Sequence, residues 1–502
     1  MERHRALTSI ATAAMLCAVL PSGGADADAT TKRAYAVVEE WRSYMEFEHP
    51  DGTVAIATSG PAVSVDEHPF FQPLGSNGRA CVTCHQPADA MSLSLRTIQA
   101  RWEQHGSRDP LFHASDGSNC PTAPQEKRES HSLLLERGLI RISLPWPPRD
   151  LEGNPIVPEF ELEVVADPTG CNSGDVYGLL AATPNVSVYR RPRMTANLRY
   201  IVKPIAERNT KTMMPLDRDP ETGERVGMAL LSDSRYPTLK LQAMDAVRSH
   251  LQGPIPPSDT VERLVDFQLN VYAAAQSSKQ AGPLHGSDAP PALGVQAMQY
   301  GQSQVNGNDI DTGVFLKFDK WANGAQNTDE DPARKAFRNS VARGYDLFFL
   351  EPFWISGAVG INNIGLGNPL KQTCAFCHNT QLTGHDNVPG WMDIGTTNFP
   401  YVPADPALPM FKITCRPEVE PHPYLGRVIY TQDPGRALVS GKCIDVGAIV
   451  MQQFRGIAAR APYFVNGSAQ SLREIVDFYD RRFNIGYTDQ EKQDLINFLS
   501  VL

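Results

Sequence analysis

The chain has 502 residues, of which 41% are hydrophobic and 20% charged, and its formal net charge is −10 at pH 7. This length and composition indicate a soluble globular protein of two to four domains. The acidic excess argues against a nucleic-acid partner, because binding phosphates requires a basic surface.

Residues 1–29 have the pattern of a secretory signal peptide. Arg3 and Arg5 precede an apolar run at 6–20, and small-residue cleavage sites of the A-x-A type follow at 25–29. The run is too short to cross a membrane, and no later stretch reaches the roughly 18 apolar residues of a transmembrane helix. We therefore expect an exported, periplasmic protein with no membrane span in its mature form. A retained membrane anchor is the alternative.

The mature chain is predicted to be mainly α-helical, with a small β-rich insertion. Helical spacing appears near 34–47, 93–104, 239–251 and 261–275, whereas residues 139–144 and 160–164 alternate apolar and polar side chains as strands do. A segment rich in Ser, Gly, Pro and Ala then predicts a linker. The predicted units are a first haem-binding unit (30–137), a β-rich insertion (138–189), a helical continuation of the first haem domain (190–276), a linker (277–332) and a second cytochrome c domain (333–502).

The last two helices are predicted in most detail. Ser471 with Glu474, and Thr488 with Glu491, have the spacing of capping boxes. In a capping box, the side chains of the N-cap residue and of the third helical residue each accept a hydrogen bond from the other residue's backbone N–H.

Two short motifs carry the chemistry. Residues 80–85 read Ala-Cys-Val-Thr-Cys-His, and residues 373–378 read Thr-Cys-Ala-Phe-Cys-His. C-x-x-C-H is the attachment site of c-type haem, in which both thiols bond one porphyrin and the histidine binds its iron. A zinc site requires four ligands, and a thioredoxin-like pair should open a helix in a βαβ unit, so these alternatives fit less well. The sequence predicts two covalent haems, held by Cys81, Cys84, His85, Cys374, Cys377 and His378.

Four further cysteines follow the predicted signal peptide: Cys120, Cys171, Cys415 and Cys443. An even number in an oxidising compartment suggests disulfides. Three pairings are possible, and the most local one, Cys120 with Cys171 and Cys415 with Cys443, is favoured.

These motifs and several flanking segments resemble the bacterial dihaem cytochrome c peroxidase and MauG superfamily. The similar segments are RRPRMTANL, LSDSRYPTLKLQAMDAV, ARGYDLFF and the closing stretch from ARAPYF to INFL. The resemblance implies two cytochrome c-like haem domains facing each other, with electrons passing between the haems and with a redox partner protein and hydrogen peroxide as partners.

The resemblance also implies a sixth iron ligand at the second haem. The family has methionine or tyrosine at the position of Tyr479, which is therefore the expected ligand opposite His378. A packed aromatic with no ligand role is the alternative, and Met451 is the second candidate ligand. At the first haem, Met91 would close the sixth position and make the haem an electron carrier; His105, His113 or an open site are the alternatives.

Around the first haem the sequence departs from the family. Gln242 matches the family's active-site glutamine, but Ser232 replaces the tryptophan expected between the haems, and Gln252 replaces an acid. An amide cannot relay a proton as a carboxylate does, so His250 is the candidate acid–base group, with a surface histidine as the alternative. The resemblance implies peroxide reduction or MauG-like oxidation of a partner. A dihaem carrier with both irons six-coordinate is the competing function.

Overall fold

The computed structural model describes residues 40–60, 62–202, 230–300, 318–322, 331–378, 384 and 390–502. The predicted signal peptide lies outside these residues. Within the described ranges, no helix is both long enough and apolar enough to cross a membrane.

The secondary structure mixes helices with short strands. The α-helices of the described residues are α1 Leu95–His105, α2 Ser132–Arg137, α3 Leu239–Ser249, α4 Ser258–Asn270, α5 Val295–Tyr300, α6 Pro332–Leu350, α7 Cys374–Cys377, α8 Ala437–Ser440, α9 Leu472–Phe483 and α10 Asp489–Ser500. The strands are β1 Tyr44–His49, β2 Gly52–Thr58, β3 Ile140–Pro145, β4 Phe160–Ala166, β5 Asn185–Arg190, β6 Val271–Ser278, β7 Gly282–Pro283, β8 Phe353–Ile355, β9 Leu370–Gln372, β10 Met410–Cys415 and β11 Val428–Thr431.

A four-stranded antiparallel sheet, in the order β1-β2-β6-β7, lies between the two haem-motif regions. Successive side chains of a strand point to opposite faces. On β2, Val54 and Ile56 therefore join a core that includes Val82 and Met91 near the first motif, whereas Ala55 and Ala57 join a core built on α6 and α10. One sheet thus contributes side chains to the packing of both regions.

Three smaller sheets complete the strand structure. β3 pairs with β5, β8 pairs with β9, and β4 joins β10 and β11 in the order β11-β10-β4. The strands expected within 138–189 therefore form, but β4 pairs with a strand about 250 residues later in the chain. The expectation of a mainly helical fold holds only in part, and the predicted domain boundaries stay predictions.

Helices α6 and α10 cross at Gly344. A Cβ atom at this position would lie 2.0 Å from the carbonyl oxygen of Asp494, so only glycine allows this approach. The Asp494 carboxylate accepts hydrogen bonds from Arg343 at 2.8 and 2.7 Å and also from Ser340 on α6. The two helices build the core against which the second haem motif packs.

The predicted helix caps are confirmed with one change. The Thr488–Glu491 capping box forms in full at α10. At α9, Ser471 accepts from the N–H of Glu474, but the Glu474 carboxylate accepts from the N–H of Gln470 at 2.7 Å instead of that of Ser471.

Two helix predictions are wrong in part. The helical stretch expected at 34–47 meets strand β1, which begins at Tyr44, and the helix expected over 261–275 ends at Asn270, where β6 begins. In both places backbone pairing with β2 overrides local helix preference.

The segment predicted as a linker, 277–332, contributes several core side chains in the described parts 277–300 and 318–322. Leu284, Val295, Met298 and Trp321 are fully buried in the core beside α6 and α10. Its Ala-, Gly- and Pro-rich composition does not distinguish an exposed connection from a closely packed one.

The favoured disulfide pairing is confirmed. Cys120 pairs with Cys171 at a Cα–Cα distance of 5.4 Å, and Cys415 pairs with Cys443 at 5.8 Å. Both distances lie in the range that a disulfide allows. The four cysteines of the C-x-x-C-H motifs are not part of a disulfide.

Candidate functional site

The first motif lies at a cavity of about 160 Å³. Cys81, Cys84 and His85 line it on one side, and α3 lines it on another. Nδ1 of His85 lies 3.2 Å from the carbonyl oxygen of Met91, and since a carbonyl only accepts, Nδ1 carries the proton and Nε2 has the free lone pair. Burial lowers the pKa of His85 to about 4, so the ring is neutral at pH 7. This tautomer suits a metal-binding histidine.

The second motif lies at a cavity of about 180 Å³ with a mostly apolar lining. Cys374 and Cys377 are the two ends of α7, and His378 follows directly. Nδ1 of His378 donates to the carbonyl of Gly384 at 3.1 Å. The two histidines therefore have the same backbone support, a carbonyl six residues further along the chain. Burial lowers the pKa of His378 to about 4 as well.

Tyr479 faces the second histidine. Its hydroxyl lies 3.3 Å from Nε2 of His378, and both side chains line the second cavity. Both atoms could hold an iron in this cavity, since imidazole nitrogen and tyrosine oxygen are both haem-iron ligands. Met451 also lines this cavity. Burial raises the pKa of Tyr479.

Gln242 and His250 are brought together on one face of α3 and its C-cap. Both line the first cavity, as do Leu239 before them and Ala243 and Ala246 between them, which is the spacing of one helix face. Ser232, at the family's tryptophan position, lines the same cavity.

His250 is paired with a carboxylate that sequence reasoning did not single out. Its Nδ1 lies 2.6 Å from Oδ2 of Asp116, which also pairs with the buried Arg79. The backbone carbonyl of His250 accepts from Asn77 at 2.8 Å and from Arg79 at 3.4 Å, so residues just before the first motif fix its position. Burial lowers the pKa of His250 to about 4. Asp116 lies in a turn-rich stretch with no motif around it, so no sequence signal identified it.

The other ligand candidates at the first motif lie away from the cavity lining. The Met91 side chain packs in the core beside β2, and the contact of this residue with His85 is through its carbonyl. His113 bonds to Ser115, and neither it nor His105 is among the described residues that line the first cavity.

The residues at both cavities fit a c-type haem. Each cavity combines two thiols outside any disulfide, a neutral imidazole and apolar walls, which would supply the covalent, iron-binding and packing contacts that the group requires. In addition, Nε of the buried Arg460, at the second cavity, has no hydrogen-bond partner among the described residues, which leaves a donor for an acidic substituent.

No family model matches the sequence. The chain is 30% identical over 204 residues to the cytochrome-c peroxidase IdrP1 of Pseudomonas sp. (strain SCT), a match that covers 37% of this chain and 44% of that protein. Over this segment the chain is similar to a cytochrome-c peroxidase. The match spans less than half of the curated relative's length. It confirms the resemblance inferred from the sequence.

Two solved structures align over most of the chain at low similarity. A MauG-like protein associated with microbial copper homeostasis shares 14% identity over 91% of this chain and 93% of its own, with a TM-score of 0.33. Kuenenia stuttgartiensis hydrazine synthase shares 13% identity over 98% and 100%, with a TM-score of 0.28. At these TM-scores neither alignment carries a conclusion about this chain.

Proposed function

We propose that this chain is an exported, periplasmic dihaem c-type cytochrome that couples electron transfer between its haems to the reduction of hydrogen peroxide. The observation that carries the proposal is the repeated arrangement at the two motifs. In each, the cysteines and the histidine line one cavity, and a backbone carbonyl fixes the histidine tautomer.

The two sites have different roles in this proposal. Tyr479 and His378 would hold the iron of the second haem, because the Tyr479 hydroxyl faces Nε2 of His378 and phenolate oxygen is a hard ligand that favours ferric iron. At the first site His85 would hold the iron and Met91 would not, because the Met91 side chain packs away from the cavity. The second site then passes electrons, and the first receives peroxide.

At the first site, His250 is the acid–base group and Asp116 is its positioning residue. A bound haem supplies the redox chemistry. Reduction of one hydrogen peroxide to two waters consumes two electrons, which a redox partner protein supplies, and two protons. The neutral His250 ring can carry a proton, since Asp116 holds its Nδ1 and leaves Nε2 for substrate. Gln242, on the same face of α3, is placed to orient the substrate by hydrogen bonds.

The experiment compares Asp116→Asn and His250→Gln with the parent in peroxide-dependent oxidation of a reduced electron donor. We expect kcat/KM to fall on the order of 10²-fold in His250→Gln and less in Asp116→Asn, the usual range for general acid–base catalysis. Ser249→Ala, an exposed neighbour on the same helix, is the matched control. Full activity in His250→Gln with both haems attached would remove His250 from the mechanism.

MauG-like oxidation of a partner protein is the second candidate, and Tyr479 is the observation that favours it. A dihaem electron carrier is the competing function. A spectrum without high-spin features that does not respond to peroxide supports the carrier, whereas a high-spin ferric iron that reacts with peroxide supports an enzyme.

A further inference from the structure

Two buried guanidinium groups, of Arg191 and Arg460, and the half-buried one of Arg193 lie where the two cavities approach each other. Arg193 lines the first cavity, Arg460 lines the second, and Arg191 lines both. The side chains of Arg191 and Arg460 are at most 7% exposed. These residues come from the segment after β5 and from the loop before α9, so the cluster forms only when both haem-motif regions fold together.

The partners of these guanidiniums are backbone carbonyls. Arg191 donates to the carbonyls of Leu93 and Arg460, and Arg193 donates to those of Val450 and Met451 at 2.9 and 2.6 Å. Arg460 donates to one carbonyl, that of Gln453.

Among the described residues, no carboxylate lies within 4.0 Å of any of the three guanidiniums. The carboxylates whose charges act on the cluster are those of Asp89, which raises the pKa of Arg191, and Asp233, which raises that of Arg193. Both are engaged elsewhere: Asp89 accepts from the N–H of Ser94, and Asp233 pairs with Arg190 and Arg235.

Holding three positive charges close together and away from water is unfavourable without a nearby negative charge. Burial, together with the charge of Arg460, lowers the pKa of Arg191 to about 10 and that of Arg193 to about 9, so all three groups remain charged at pH 7. Taking one ion out of water costs several kcal/mol unless an opposite charge compensates it. The orphaned Nε of Arg460 is a further donor without an acceptor. Buried, mutually repelling cations with spare donors indicate an anion that completes the site.

We propose that Arg191, Arg193 and Arg460 form one anion site that binds the propionate carboxylates of the haems in both cavities. This inference rests on the proposed dihaem function. A haem attached through its vinyl groups carries two carboxylates on the opposite edge, and guanidinium binds carboxylate with charge-assisted hydrogen bonds. Because Arg191 borders both cavities, its charge acts on both haems, and it links the two sites electrostatically.

The test uses the holoprotein and replaces Arg460, which has the fewest structural hydrogen bonds of the three. We compare Arg460→Met, Arg460→Lys and the exposed control Arg473→Met. Haem staining and intact mass first establish that both haems are attached. Resonance Raman bands of the propionates and a redox titration then report on the site, and neither depends on turnover.

We expect Arg460→Met to shift the propionate bands and to lower the midpoint potential of the second haem, because loss of a nearby positive charge disfavours the electron. Arg460→Lys should keep a midpoint potential close to that of the parent, because lysine retains the positive charge. Its propionate bands should still differ from those of the parent, because lysine lacks the planar guanidinium that binds a carboxylate through two hydrogen bonds. Arg473→Met should match the parent. If Arg460→Met does not mature, Arg193→Met is expected to produce the same shifts at the first haem.

Unchanged bands and potentials in Arg460→Met and Arg193→Met, with two haems attached, would overturn the anion site and leave the dihaem function intact. A parent protein without haem would instead refute the proposed function itself.

Discussion

Replacing Arg190 should lower the free energy of unfolding more than breaking an exposed ion pair does. Arg190, at the end of β5, donates to both oxygens of Asp433 at 2.6 and 2.8 Å and also pairs with Asp233. It therefore joins three distant parts of the chain. All three side chains are at most 3% exposed. Although burial opposes ionisation, Arg235 and Arg190 hold the pKa of Asp233 at about 2, so this carboxylate is charged at pH 7.

In Arg190→Leu, Asp233 keeps its contact with Arg235, but Asp433 loses its cation while it stays buried. Breaking a buried pair on one side costs about 3–5 kcal/mol, because the remaining charge is uncompensated. Urea unfolding followed by circular dichroism measures the loss. The control is Lys412→Ala, which breaks an exposed pair with Glu163 and should cost less than about 1 kcal/mol.

A second variant separates lost charge pairing from lost packing. Arg190→Leu combined with Asp433→Asn should recover part of the stability, because no unpaired charge then remains at that position. A cost below about 1 kcal/mol for Arg190→Leu alone, or no recovery in the double variant, would refute this reasoning.

The remaining predictions concern helix packing, pH and ligation. Gly344→Ala should lower the free energy of unfolding by roughly 1–3 kcal/mol despite the better helix propensity of alanine, because its Cβ meets the backbone of α10. The exposed control on the same helix, Ala336→Gly, should cost about 1 kcal/mol through helix propensity alone, and a gain of stability in Gly344→Ala would contradict the contact. Burial, and to a lesser extent Arg263, lowers the pKa of His68 to about 4 from 6.5, so the unfolded chain binds more protons between these values. His68 should therefore contribute a loss of stability on the order of 1–2 kcal/mol as the pH drops through that window, and His68→Phe should reduce the pH dependence measured in urea titrations by that amount. Tyr479→Phe should change the ligation spectrum of the second haem, and an identical spectrum would make Tyr479 a packing residue.

The local features of the fold were predictable from the sequence. The two C-x-x-C-H motifs, the caps at Ser471 and Thr488 and the strands on either side of residue 150 each depend on neighbours in the chain. Their chemistry or periodicity is visible in a few residues.

The features that were missed depend on contacts far apart in sequence. The run after Asn270 is alanine-rich and favours a helix locally, yet it pairs with β2 more than 200 residues earlier. In the same way, β4 finds its partner only in β10. Local helix and strand propensities carry no information on such pairing, so the end of the helix expected over 261–275 was misjudged.

The same limit applies to the candidate site. Gln242 and His250 share a helix face, so their common cavity could be expected from spacing. The contact of Asp116 with His250 spans 134 residues, and the guanidinium cluster joins positions about 270 residues apart. Neither has a local signature.

The most direct test of the central claim is the intact mass of mature protein from a host that attaches c-type haem. The account predicts the polypeptide plus two haems, with one lost in Cys84→Ala, the other in Cys377→Ala, and both retained when the Cys120–Cys171 pair is replaced by alanines. A mature protein whose mass equals that of the polypeptide alone would contradict the account.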